Sequence, residues 1–137
     1  MGDYTKVNLL EVEDQAPRFG YSPGLRSWFA RVPLGLRAAG VSFFRYGPGF
    51  RIPFGHHHEE QEEVYVVLAG SARARLDDEI VPLGPLDALR VGPSTVRAFE
   101  AGPEGADLLV FGSPGDENRG VRMVRDWWPL DDDPARE

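Results

Sequence analysis

The stretch "GHHHEEQEEVYVVLAG" (55–70) changes character twice: three histidines, then an acidic polar run, then an apolar segment closed by glycine. His56 and His58 are two residues apart, so on a strand both imidazoles face one side and His57 the other. Glu63 stands five residues past His58 and would point away if the strand ran straight on. The polar run 59–62 is able to turn the chain, which brings Glu63 back across from the pair at the head of a second strand, "EVYVVLAG" (63–70). Two imidazoles and one carboxylate on a shared inner face make a chelating set for a divalent first-row metal. Gln61 and Glu62 are further oxygen donors for such a site. The same residues in a solvated loop are only a charged turn, and spacing alone leaves both readings open.

Working outward, short strand-like runs continue in both directions. "VSFFRY" (41–46) precedes the histidines, with "GPGFRIPFG" (47–55) as the approach to them. "SARARLD" (71–77), "EIVPL" (79–83), "DALRV" (87–91), "TVRAFEA" (95–101) and "ADLLVFG" (106–112) follow. The breaks between them, "DD", "GP", "GPS" and "GPEG", are turn chemistry. Short strands at this spacing predict an antiparallel sandwich or barrel in a single domain. Helix-period signals are confined to "VNLLEVED" (7–14) and "GLRSWFA" (24–30), both short. The acidic end, "DDDPARE" (131–137), reads as a frayed tail.

Composition narrows the function classes. With 137 residues, 42% of them hydrophobic and 27% charged, the chain can bury one real core. Cysteine is absent, which removes disulfides, thiol nucleophiles and Cys-type zinc sites. The net charge is −7 and Lys6 is the only lysine, so no basic patch for nucleic acid is expected. No apolar run approaches the length of a membrane span, and the N-terminus does not read as a signal peptide, so a cytoplasmic location is the expectation.

The spacing His56-x-His58, four residues, Glu63, six residues, Gly70 resembles the first motif of the cupin family, G-x5-H-x-H-x3–4-E-x6-G. Gly49 precedes His56 by six intervening residues instead of five. The second motif, G-x5-P-x-G-x2-H-x3-N, is degenerate here. Gly84 and Asp87 are in place, "GPS" (92–94) stands for the Pro-x-Gly turn, and Arg97 and Ala101 occupy the histidine and asparagine positions. The resemblance covers about residues 38–113. It implies an all-β cupin double-stranded β-helix, a jelly-roll barrel. The whole chain, 1–137, is then one cupin domain with an N-terminal extension (1–37) and a C-terminal tail (114–137).

The resemblance also implies a divalent metal ion (Zn, Mn, Fe or Ni) on His56, His58 and Glu63. The usual fourth ligand is missing, because an arginine offers no free lone pair. Three ligands leave positions open, as in the two-His-one-carboxylate sites of non-haem iron enzymes. On this alignment Arg97 points inward, either to anchor an anionic group of a small-molecule ligand by a bidentate bond or to pair with Glu63 or Glu100. Tyr65 and Val67 share Glu63's parity, and Phe99 shares that of Arg97, so all three should line the same interior as core or pocket wall. Three functions follow. One is a metal-dependent dioxygenase, isomerase or lyase, another a non-catalytic binding or sensing module, and the third a structural cupin. A homodimer is expected, since single-domain cupins commonly pair and the apolar "DWWPL" (126–130) needs cover from the barrel or a partner subunit.

Overall fold

The computed structural model describes residues 2–114 and 120–129. Eight antiparallel strands make a single curled sheet: β1 (Leu25–Phe29), β2 (Gly40–Tyr46), β3 (Gly55–His58), β4 (Glu62–Leu76), β5 (Glu79–Leu83), β6 (Ala88–Val91), β7 (Arg97–Ser113) and β8 (Val121–Val124). Two four-residue helices, α1 (Ala16–Phe19) and α2 (Arg31–Leu34), flank β1. Among the described residues no helix is long and apolar enough to cross a membrane. The all-β expectation holds.

The long strands β4 and β7 run antiparallel along each other from Glu62↔Ser113 to Leu76↔Arg97 and form the frame. The sequence suggests two strands in place of each, with a turn at "GPEG" in the second, whereas the chain continues through as bent strands. Gly70 and Gly105 make the bend possible. Both have positive φ, and a Cβ on Gly70 would lie 2.0 Å from the Gly105 carbonyl oxygen. Four residues, 102–105, oppose the single Ser71, so "GPEG" bulges from the ladder instead of ending it.

β7 also pairs with β2 and, through His56↔Arg97, with β3. The side chains facing inward, among them Tyr46, Tyr65, Val67, Ala74, Phe99 and Leu108, close the core.

Three local readings need correction. "GLRSWFA" is strand β1 and not a helix. Leu25 and Ser27 are buried inward, and Trp28 stacks on Phe43 of the neighbouring β2 at 5.3 Å, a contact that no local period encodes. "VNLLEVED" yields only a 3-10 turn at Leu9–Glu11 with no buried residue. The tail contributes β8, which pairs along the free edge of β3. The sheet therefore runs past residues 38–113 at both ends.

The tryptophans find their cover inside the chain. Trp128 is buried under its own barrel, with the Arg51 guanidinium 4.2 Å over its ring and its backbone N–H donating to the Pro53 carbonyl. Arg51 in turn pairs with Glu100 at 2.9 Å, and Arg73 holds the other oxygen of that carboxylate at 2.7 Å. Glu100 is thus engaged on the side away from Arg97. The acidic run 131–137 lies outside the described residues.

Candidate metal and ligand site

Strand β3 carries the histidines at the alternation expected of it. His56 and His58 face the barrel interior and line its cavity, while His57 does not. The polar residues 59–61 turn the chain, and β4 opens with Glu63 pointing back at the pair. His56 Nε2 lies 3.6 Å and His58 Nε2 3.3 Å from Glu63 Oε1. One donor atom from each of the three residues falls within 4.8 Å of the other two. Tyr65, two residues on and on the same face, donates its hydroxyl to Oε1 at 2.5 Å. Arg97 arrives from β7 with Nη1 3.6 Å from that oxygen. Four side chains therefore converge on one carboxylate oxygen.

The electrostatics follow from burial and charge. Burial by itself would raise the Glu63 carboxyl, but the two imidazoles and the Tyr65 hydroxyl outweigh it and hold the group well below the usual carboxylate range. Burial lowers His56 from its ordinary value against the pull of Glu63, which keeps the imidazole neutral and its lone pair available at neutral pH. Burial and the Glu63 charge push Tyr65 well up, so it stays a donor.

The donor set fits a metal ion. Both nitrogens of His58 are buried without a hydrogen-bond partner, and the imidazole–carboxylate distances exceed those of good hydrogen bonds, leaving room between the groups. Neutral imidazole and carboxylate are ligands for first-row divalent ions.

Neither of the extra oxygen donors expected from the polar run lines the cavity with the His-His-Glu group. Gln61 is buried against Gly112 and donates to the Pro114 carbonyl at 2.6 Å, and Glu62 pairs with Arg90 at the surface at 2.9 Å. The bidentate anchor expected of Arg97 is also narrowed. Its Nη2 donates to the Gly92 carbonyl at 2.7 Å, while Nη1 and Nε are buried without a hydrogen-bond partner.

Above the cluster lies a cavity of about 280 Å³. Tyr65 and Phe99 line it, their rings 4.4 Å apart, whereas Val67 is wholly buried in the core behind it. Most of the wall comes from residues that sequence reasoning passed over: Tyr21, Phe29, Phe44, Tyr46 and Phe54. The period-two run Ser42, Phe44, Tyr46 in "VSFFRY" was the available signal, since all three face the cavity. A larger, open groove of about 1040 Å³ between the N-terminal segment and α2 contains no histidine.

No protein-family model and no curated protein matches the sequence. Solved structures do. A cupin protein from Bacteroides fragilis aligns over 85% of this chain and 89% of its own, with 24% identity and a TM-score of 0.68. A variant of Pac13 from Streptomyces, solved with uridine, aligns over 98% of this chain and 99% of its own, with 21% identity and a TM-score of 0.72. Pac13 is described as a nucleoside dehydratase. KdgF from Halomonas aligns over 85% and 90%, with 17% identity and a TM-score of 0.60. The chain thus has the fold of the cupins, a double-stranded β-helix, with a His-His-Glu group at the floor of its barrel.

Proposed function

We propose that the protein is a small-molecule cupin whose cavity holds a divalent metal ion on His56, His58 and Glu63 and receives an anionic ligand at Arg97. The observation that carries this reading is the convergence of two imidazoles on one buried carboxylate oxygen, with His58 otherwise unpartnered. When bound, the ion supplies a Lewis acid that polarises a ligand oxygen, chemistry suited to a lyase, isomerase or dioxygenase. Tyr65 keeps the carboxylate ionised and fixed. Arg97 neutralises part of its charge and offers Nη1 to an acidic group. Zn, Mn, Fe and Ni all suit the donor set. The test is calorimetric titration of metal-free protein with Zn²⁺, Mn²⁺ and Fe²⁺. One site per chain that is lost in His56→Ala/His58→Ala supports the reading, and equal binding by that variant overturns it.

One observation favours a second reading without metal. Arg97 stands where the fourth ligand is expected, and its charge balances Glu63 at 3.6 Å. The cluster would then work by proton transfer on a bound molecule, and the dehydratase activity described for Pac13 lends this support. Ligand binding that is unchanged by chelators separates the two.

Pairing of two copies is supported by the outer sheet face instead of by the tryptophans. There Val41, Phe111 and Val64 line up across β2, β7 and β4, and Phe111 is 42% exposed.

A further inference from the structure

We infer that the ligand of this cavity is a flat, single-ring aromatic acid; the inference rests on the reading of the barrel cavity as a ligand site. Three features of the cavity specify this class. The first is its wall. Tyr21 and Phe54 lie 5.7 Å apart, and Phe29 and Phe44 meet edge to face, also at 5.7 Å. Ring walls of this kind take a planar guest in stacked or edge-on contact, for which aromatic pairs gain more than their buried area alone.

The second feature is where the polar groups are. Apart from Ser27, Ser42 and the tyrosine hydroxyls, hydrogen-bonding side chains among the described lining residues are confined to the floor: His56, His58, Glu63 and Arg97. A polyhydroxylated ligand would carry more hydroxyls than these scattered wall groups can partner, and burying the remainder against hydrocarbon is costly. The third feature is charge. Arg97 is fully buried beside Glu63, and two of its nitrogens still lack a hydrogen-bond partner, which leaves it able to take one acidic group. No second lysine or arginine lines the cavity among the described residues, and Glu63 repels further negative charge. A compact polyanion is therefore disfavoured. The volume, about 280 Å³, lies just below the usual range of ligand sites, roughly 300 to 1,000 Å³, and suits one ring.

The experiment is calorimetry on the full chain, metal-free and zinc-loaded, with benzoate, cyclohexanecarboxylate, benzamide, citrate and uridine. Benzoate is expected to bind at least tenfold more tightly than benzamide, citrate or uridine. It should exceed cyclohexanecarboxylate by about 3- to 10-fold, the margin of ring–ring contact. Arg97→Gln should bring benzoate down to the level of benzamide. Phe54→Leu and Phe44→Leu, each checked by thermal melting, keep the wall apolar but remove a ring, so the gap between benzoate and cyclohexanecarboxylate should close. Citrate or uridine binding as tightly as benzoate overturns the inference, as does a gap that both variants leave intact. A zinc titration of the same samples separates this inference from the metal reading. Zinc bound without benzoate overturns the ligand class alone, and benzoate bound without zinc overturns the metal reading alone.

Discussion

Replacing Glu63 by glutamine should destabilise the metal-free protein by roughly 3–5 kcal/mol, and removing Arg97 as well should restore much of the loss. The size follows from the pair itself. Arg97 Nη1 and Glu63 Oε1 are 3.6 Å apart, with side chains 0% and 9% exposed, so solvent screens them little. Coulomb's law at an effective dielectric of ~20 gives ~4.6 kcal/mol at that separation, within the range measured for breaking buried pairs. Glutamine keeps an acceptor for the Tyr65 hydroxyl, so the lost charge is the main change. In Glu63→Gln the guanidinium stays buried without its counter-charge. In Glu63→Gln/Arg97→Met no charge is stranded. Urea denaturation of the two single variants and the double variant completes the cycle, with unchanged slopes as the check that only stability moved. A Glu63→Gln cost below about 1 kcal/mol, or a double variant as unstable as the sum of the singles, would refute the claim that these two charges support each other.

Other outcomes follow from the same geometry. Glu63 titrates below its unfolded value, so its stabilisation is complete above about pH 4.5 and drains away as pH falls; wild-type urea midpoints should drop more steeply in acid than those of Glu63→Gln. His57→Ala should leave zinc affinity within about twofold, while His58→Ala should cost at least tenfold, read by calorimetry. Trp128→Ala should lower stability by roughly 3–5 kcal/mol, since the ring is fully buried beneath Arg51, and thermal melts will measure it. Phe111→Glu should give a monomer in sedimentation at concentrations where the wild-type chain pairs; identical sedimentation of the two would remove the outer face as an interface.

Much of the site was legible because it depends on local alternation. The parity of His56, His58 and Glu63, with a polar turn between, requires only strand geometry, and the inward placement of Tyr65 follows from the same rule, while that of Arg97 came from the resemblance of the second motif. What was not legible depends on neighbours distant in sequence. β1 becomes a strand because Trp28 meets Phe43 and the backbone pairs with β2. β8 is four residues long and unremarkable by composition, and it exists because β3 offers it an open edge. The engagement of Gln61 depends on the bare backbone of Gly112 facing it across the fold. The aromatic wall was hidden for the same reason, since Tyr21 and Phe29 come from a segment that the motif does not cover.

The most direct test of the central claim is an anomalous difference map from crystals of untagged protein, collected at the absorption edge of the metal found in it. The account predicts one peak bonded to His56, His58 and Glu63 at about 2.0–2.2 Å, with the other face of the ion turned to the cavity. A site without a peak after soaking in Zn²⁺, with Arg97 drawn into direct hydrogen bonding with Glu63, would contradict it.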